Sequence, residues 1–255
     1  LQDERGRRMS EPQRIYAIGD VHGQLEMLQS VHARIEWDLR DRPCADHAIL
    51  HIGDYTDRGP DSCGVLNYLI AAKAAGAPHI NLLGNHDRMF RLFLESPGGR
   101  DYKLRRELSW LHDRLGGRVT LMSYGLDLPD RAQQSDGAEW HAEAVGAVPA
   151  SHLAFLQDLP DSYHWGDWFF AHAGVAPGVS LFAQDEDDLI WIRSPFLESS
   201  RNHGATIVHG HTPVDHVEDH GNRIAIDTGA GYGKPISCIV IEGASARILD
   251  GDVLR

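Results

Sequence analysis

Residues 53–59, Gly-Asp-Tyr-Thr-Asp-Arg-Gly, constrain the fold of this chain more than any other stretch. An apolar run at 48–52 leads into them, and this pattern predicts a buried strand that breaks into a tight loop before a helix. A carboxylate at the end of a buried strand is unfavourable unless a cation meets it. We therefore predict that Asp54 bridges two metal ions and that Arg58 binds a phosphate group beside them.

The same pattern of strand, polar loop and amphipathic helix occurs three times in the first part of the chain. The predicted strands are 14–18, 48–52 and 78–83, and the predicted helices are 25–39, 61–75 and 86–95. Three consecutive units of this kind favour an α/β architecture with a largely parallel sheet. Ligands collect at the carboxyl ends of strands in such sheets, and all three polar loops fall there.

The second half of the chain is predicted to be rich in strands. A helix is expected at 149–159, a hairpin at 162–165 and 168–171, and a further strand at 205–208. Segments 214–217, 223–226, 236–241 and 247–249 are expected to form an antiparallel tail. We interpret residues 1–12 as a disordered leader and 13–255 as one domain with two sheets, in which 97–150 form an inserted helical cap.

Composition narrows the classes of function. The net charge of −13 argues against a nucleic-acid groove, which needs clustered Lys and Arg. The three cysteines, Cys44, Cys63 and Cys238, form no CxxC pair, which indicates a reducing compartment, and we expect a cytoplasmic protein. Residues 1–10 lack the apolar core of a signal peptide. No apolar run approaches the roughly 18 residues that span a bilayer, so no membrane partner is expected.

Polar side chains at five predicted strand ends form the candidate site. They are Asp20 and His22, then Asp54, Asp57 and Arg58, then Asn85 and His86, and finally His172 and His211. Oxygen and imidazole ligands without thiolates suit Mn, Fe or Zn, and we expect two divalent ions, with Mn favoured. Asp20 and His22 would bind the first ion and Asp54 would bridge. Asn85, His172 and His211 would bind the second.

This residue set predicts phosphoester hydrolysis. A hydroxide held between the two ions would attack phosphorus, because metal binding lowers the pKa of water towards about 7. Arg58 and Arg193 would neutralise the phosphate oxygens. His86 would protonate the leaving group as general acid, with Asp57 orienting it.

The motifs at 19–23, 53–59, 84–87, 172–174 and 209–212 resemble the successive signatures of metallophosphoesterases. More narrowly, they resemble bacterial members of the phosphoprotein phosphatase branch that are similar to serine/threonine phosphatases. The resemblance implies a four-layer α-β-β-α sandwich, a dinuclear metal centre and the ligand roles given above. It also puts His86 and Asp57 in the positions of the family's acid pair. The chain departs from the pattern at Asp87, where many members carry Glu.

Several alternatives stay open at the level of sequence. Arg193 could form an ion pair with the acidic run at 185–188 instead of binding phosphate. His209 is interpreted as a structural residue, and the aromatic stripe of Trp165, Trp168 and Phe169 as part of the core. Asp20 could also cap the helix that follows it.

Three functions compete for this sequence. The leading hypothesis is a phosphomonoesterase that acts on phosphoserine or phosphothreonine in proteins. The alternative is a hydrolase of dinucleoside polyphosphates, such as one that cleaves diadenosine tetraphosphate symmetrically. Asp57 favours the first, because nucleotide-cleaving relatives often lack an acidic residue there. A regulatory binding module with a degenerate site is the third. The expected partner is therefore a phosphoprotein or a small phosphoester.

Overall fold

The computed structural model describes residues 12–255, so all but the last residue of the predicted leader lies outside the described part of the chain. The strands are β1 (Arg14–Ile18), β2 (His47–His51), β3 (His79–Asn81), β4 (Ser162–Trp165), β5 (Trp168–Ala171), β6 (Thr206–His209), β7 (Glu218–Asp219), β8 (Arg223–Ala225), β9 (Cys238–Glu242) and β10 (Ser245–Ile248). The α-helices are α1 (Leu25–Asp41), α2 (Ser62–Ala74), α3 (Asn85–Glu95), α4 (Gly117–Ser123), α5 (His141–Ala147), α6 (Ala150–Gln157) and α7 (Glu186–Trp191).

The strands form two mixed sheets of five strands each. The first has the order β10-β9-β1-β2-β3, in which β1, β2 and β3 are parallel and β9 and β10 are antiparallel additions. The second has the order β4-β5-β6-β8-β7, with β5, β6 and β8 parallel and an antiparallel strand at each edge. The parallel strands of both sheets place their carboxyl ends where loops can meet.

The predicted antiparallel tail is wrong in three respects. Residues 214–217 form no strand, and a short strand follows them at Glu218–Asp219. Strand β8 runs parallel to β6 instead of antiparallel. The last two strands, β9 and β10, belong to the first sheet instead of the second, because β9 pairs with β1. Local periodicity carries no signal for these pairings, which join residues more than 200 positions apart in the case of β1 and β9.

Side chains from β1 show how the layers stack. Ile15 and Ala17 lie in an apolar cluster with Phe170 and Val208 of the second sheet, so the two sheets face each other. The alternate residues on the opposite face belong to a second cluster that includes residues of the helices. Because successive side chains along a strand point to opposite faces of its sheet, each sheet packs on the other sheet and on helices, which is the predicted four-layer α-β-β-α sandwich.

The segment at 97–150 contains α4, α5 and short turns of 3₁₀ helix. Its buried Trp110 and Leu111 belong to the same apolar cluster as Phe90 and Phe93 of α3. A buried ion pair adds to this contact, since Arg88 of α3 donates two hydrogen bonds to Asp101, at 2.7 and 3.0 Å. The segment is thus attached directly to the helix that begins at Asn85, and we call it the insert below.

No helix among residues 12–255 is both long enough and apolar enough to cross a membrane.

A cluster of histidines outside the candidate site includes His51, the last residue of β2. The Nε2 atoms of His32 and His51 are 2.9 Å apart, and the hydroxyl of Tyr68 lies 3.0 Å from Nδ1 of His32. The ring centroid of His79 lies 5.1 Å from that of His32 and 5.2 Å from that of His51. Burial lowers the pKa of His32 to about 4, with a further contribution from His79. These imidazoles are therefore neutral in the folded protein at neutral pH.

We expect this cluster to make the fold sensitive to acid. The unfolded chain takes up protons on His32 below about pH 6.5, whereas the folded chain does so only near pH 4, so stability falls as the pH drops between these values. At pH 5 the loss from His32 alone is about 2 kcal/mol. Urea unfolding at pH 7 and pH 5 measures it, and His32→Gln should reduce the difference between the two pH values. An equal difference in the variant and the parent protein would contradict this account.

Candidate metal centre and active site

The predicted ligands come together from both sheets. Asp20 and His22 follow β1, Asp54 follows β2, and Asn85 opens α3 after β3. His172 follows β5 and His211 follows β6, so the second sheet contributes its own strand ends. All six side chains are buried.

The carboxylate of Asp54 lies between two groups of ligand atoms. Its Oδ2 is 3.4 Å from Nε2 of His22, and its Oδ1 is 3.4 Å from Nε2 of His172. Candidate ligand atoms of Asp54, His22 and His86 lie within 4.8 Å of one another, as do those of Asp54, His172 and His211. A carboxylate that presents one oxygen to each side has the geometry of a bridging ligand.

The remaining predicted ligands complete the two sides. On one side, Oδ1 of Asn85 lies 3.0 Å from Nε2 of His172 and 2.8 Å from Nδ1 of His211. On the other side, Oδ2 of Asp20 is 4.0 Å from Nε2 of His22. The structure therefore brings together all six residues predicted as ligands, with Asp20 somewhat further from its neighbours.

Contacts with backbone carbonyl oxygens orient the imidazole rings of His22 and His172. Nδ1 of His22 lies 2.9 Å from the carbonyl oxygen of Thr56, and Nδ1 of His172 lies 3.2 Å from that of Ile52. We assign the ring protons to these Nδ1 atoms, which then donate to the carbonyls. Each Nε2 is left with a lone pair on the side of Asp54, and this is the ring state that binds metals. Burial, and then the charge of Arg58, lowers the pKa of His22, which maintains the neutral form.

The charges of the site fit a cation. Burial raises the pKa of Asp20 well above its usual value, and the nearby carboxylates of Asp227 and Asp54 raise it further. Buried carboxylates close to one another need a positive charge to stay ionised. The donor atoms and the charge of this site thus suit divalent metal ions.

Backbone strain is concentrated at the site. Among residues 12–255, the non-glycine residues with positive φ are His22, Asp54, Asp57, Arg58 and His211. Each is one of the predicted site residues, and such conformations persist only where the surrounding structure enforces them. The loops that follow β2 and β3 also approach each other closely. A Cβ on Gly84 would lie 2.2 Å from the backbone nitrogen of Asp54. Only glycine fits there.

Asp87 holds the bridging residue in place, a role that its sequence position did not reveal. Its Oδ2 accepts hydrogen bonds from the backbone nitrogens of Asp54 and Gly84, at 2.8 and 3.0 Å. Its Oδ1 accepts another from the nitrogen of Tyr55, at 2.9 Å. The shorter acid at this position therefore reaches the loop after β2, although many resembling proteins carry Glu.

His86 and Asp57, which were predicted to act as an acid pair, are in contact. Nδ1 of His86 lies 2.6 Å from Oδ2 of Asp57, which orients the ring and leaves Nε2 facing the site. Arg58 donates to Nε2 of His86 at 3.0 Å and to Nε2 of His22 at 2.6 Å. Its guanidinium also lies 5.3 Å from the ring of Tyr232. Arg58 is thus placed beside the ligand atoms, as a phosphate-binding residue must be.

Two side chains of the insert hold Asp57, and sequence reasoning missed both. Nε1 of Trp110 donates to Oδ2 of Asp57 at 2.9 Å, and Oγ1 of Thr120 donates to Oδ1 at 2.7 Å. The backbone nitrogen of Asp57 in turn donates to Oγ1 of Thr120 at 2.8 Å. These partners lie 53 and 63 positions along the chain, so no local pattern could have revealed them.

Arg193 lines the same cavity of about 560 Å³ as Asp54, His86 and His211. No carboxylate lies within ion-pair distance of Arg193 among the described residues, and the acids at 186 and 187 pair with Arg88. The alternative ion pair of Arg193 with the acidic run is therefore not formed. His209 lies outside the ligand groups, and its Nε2 accepts a hydrogen bond from Arg223 at 3.2 Å.

Comparison with known proteins identifies the class. The profile of the calcineurin-like phosphoesterase family matches residues 13–234. Serine/threonine-protein phosphatase 2 of Escherichia coli (strain K12) is 28% identical over 226 residues, which cover 85% of this chain and 87% of that protein. The symmetrical bis(5'-nucleosyl)-tetraphosphatase of Dechloromonas aromatica (strain RCB) is 27% identical over 162 residues, covering 64% of this chain but only 44% of that protein.

A solved structure supports the fold. The crystal structure of a putative diadenosine tetraphosphatase superposes with a TM-score of 0.63 at 19% identity, covering 97% of this chain and 95% of that chain. The chain belongs to the calcineurin-like phosphoesterase family. It is therefore a metallophosphoesterase, an enzyme of a family that uses divalent metal ions.

We expect Trp110 to support catalysis through Asp57 and His86. Trp110→Phe keeps an aromatic ring beside Phe90 but removes the hydrogen bond to Asp57, so it should lower the turnover of phenyl phosphate, a poor leaving group, by roughly tenfold. Steady-state kinetics measure this, with Trp140→Phe, a buried insert residue away from Asp57, as the control. On a His86→Asn background the same change should have little further effect. Full additivity of the two losses would contradict the role.

Proposed function

We propose that this protein is a metal-dependent phosphomonoesterase that removes phosphate from phosphoserine or phosphothreonine. The main support is the carboxylate of Asp54, whose two oxygens face imidazoles on opposite sides. A second support is the short contact between His86 and Asp57, which equips the site to protonate a leaving group. Together these features correspond to hydrolysis of an ester whose alcohol leaves poorly.

The proposed ligands are Asp20, His22 and Asp54 for one metal ion and Asp54, Asn85, His172 and His211 for the other. Mn is the favoured metal, with Fe or Zn compatible with the same oxygen and imidazole donors. When bound, the two ions supply a nucleophilic water of lowered pKa and neutralise charge on the phosphoryl group. Neutral imidazoles fixed by backbone carbonyls are prepared for this role.

Side chains of the protein perform the other steps. Arg58 and Arg193 hold the phosphate oxygens, and a guanidinium suits this task because its planar donors match two oxygens at once. His86 as imidazolium gives a proton from Nε2 to the leaving oxygen, while its Nδ1 stays hydrogen-bonded to Asp57. The negative charge of Asp57 stabilises the imidazolium before the proton is transferred.

The choice of phosphoprotein rests on the acid pair and on the relative named as a serine/threonine phosphatase. Serine and threonine leave as alkoxides and need a proton, whereas a nucleotide phosphate is a much better leaving group. The alternative is a hydrolase of dinucleoside polyphosphates, and the tetraphosphatase relatives support it equally. A degenerate binding module has less support, because all six ligand side chains meet in the site.

We also propose that the protein works in a reducing compartment such as the cytoplasm. Cys44, Cys63 and Cys238 are all free thiols. Free cysteines without a disulfide are typical of reducing compartments.

His86→Asn should keep the metals and lose rate. The loss should be roughly a hundredfold or more for phenyl phosphate and much smaller for p-nitrophenyl phosphate, which needs no proton. Metal content by mass spectrometry checks that the ions remain, and Asp54→Asn provides the contrast, because it should lose metal and activity together. Equal losses for both substrates would remove His86 from the role of general acid.

The substrate class is tested by comparing kcat/KM values in the presence of Mn. A phosphothreonine peptide, p-nitrophenyl phosphate and diadenosine tetraphosphate are assayed side by side. We expect the peptide to be preferred over the dinucleotide. A dinucleotide preference of tenfold, about 1.4 kcal/mol in transition-state binding, would replace the proposed substrate and leave the metal site intact.

A further inference from the structure

The cavity above the metal site has two walls. One wall contains site residues, among them Asp54, His86 and His211. The other belongs to the insert, which contributes Lys103, Arg105 and further residues up to position 115. A substrate bound at the metal site would therefore also contact the insert.

Unpaired arginines are concentrated in this cavity. Arg58, Arg105, Arg114 and Arg193 all line it, and none has a carboxylate within ion-pair distance in the described part of the chain. Arg105, Arg114 and Arg193 are exposed. In a chain with a net charge of −13, four such arginines around one cavity form a local site for anions.

Acidic residues of the cavity do not cancel this charge. Asp187 also lines the cavity, but it is already paired with Arg88 at 2.7 Å and with Lys103 at 3.6 Å. Asp188 is the other acidic residue that lines the cavity outside the metal site. Positive charge therefore exceeds negative charge in the space between the insert and the metal ligands.

The backbone that carries the two arginines of the insert is held in position. The guanidinium of Arg100 donates to the carbonyl oxygens of Leu104 at 2.6 Å and of Arg106 at 3.0 Å, which fixes the turn that carries Arg105. The chain near Arg114 packs against the loop of Arg58, since a Cβ on Gly116 would lie 2.3 Å from the backbone nitrogen of Arg58. Side chains on a backbone fixed in this way lose less freedom when they bind.

We propose that Arg105 and Arg114 form a second anion subsite, which binds a phosphate group of the substrate other than the one being hydrolysed. This inference rests on the proposed phosphoesterase function. Arg58 and Arg193 serve the scissile group, so the arginines of the insert are free for a neighbouring phosphate. Such a group is carried either by a doubly phosphorylated peptide or by a polyphosphate chain, and planar guanidinium groups suit both.

Selectivity for a second phosphate is the measurement that tests the subsite. Singly and doubly phosphorylated peptides of one sequence, diadenosine tetraphosphate and p-nitrophenyl phosphate are compared by kcat/KM with Mn. We expect the parent protein to prefer at least one substrate with several phosphates over the singly phosphorylated peptide. The preferred substrate tells the two sources apart. The double variant Arg105→Gln, Arg114→Gln should reduce this preference by about tenfold.

Arg106→Gln is the matched control. Arg106 is the exposed neighbour of Arg105 and likewise has no ion pair among the described residues, but it lines a different cavity. Its variant loses one positive charge, against two in the double variant, and should keep the preference. A preference that survives in the double variant, or that falls equally in Arg106→Gln, would overturn the subsite.

Direct binding separates this proposal from the proposed function. Fluorescence anisotropy with labelled peptides on the slow His86→Asn background, read before appreciable turnover, gives dissociation constants. Tighter binding of the doubly phosphorylated peptide that is lost in the double variant would support the subsite even if no phosphoester were hydrolysed. Equal dissociation constants for the two peptides, together with no preference for diadenosine tetraphosphate, would refute the subsite even if hydrolysis were confirmed.

Discussion

Loops from two sheets have to bring buried carboxylates and imidazoles within a few ångströms of one another, and the carboxylate of Asp87 is central to this arrangement. It accepts hydrogen bonds from the backbone nitrogens of Asp54, Tyr55 and Gly84. These bonds join the end of β2 to the start of α3, so Asp54 and Asn85 are positioned by one group. Since Asp87 is fully buried, its hydrogen bonds are formed without competition from water.

The backbone conformation around the site shows why the hydrogen bonds of Asp87 are needed. His22, Asp54 and His211 adopt positive φ, a conformation that costs each of them of order 1 kcal/mol or more. Segments in this state relax unless packing prevents it. Two sheets that share an apolar core provide that rigidity, and the cost of the site is offset by the burial of strands such as β1.

Much of the fold and of the ligand set was predictable, because both are encoded in short stretches. Strands β1, β4 and β5 have the bounds that alternation and turns predicted, and each ligand lies in the loop or helix start that follows a strand. Features that depend on distant pairing could not be found in the same way. The pairing of β9 with β1 and the contact of Trp110 with Asp57 join remote parts of the chain, and neither leaves a periodic signal.

The contacts of the insert with Asp57 have a consequence for how this scaffold can diversify. One segment both lines the cavity beside the ligand residues and holds Asp57, so it cannot be exchanged freely between relatives. A chimera that brings in a foreign segment would gain new contacts in the cavity but lose the hydrogen bonds that hold Asp57, unless the indole of Trp110 and the hydroxyl of Thr120 were transplanted with it. Specificity and reactivity are in this way inherited together.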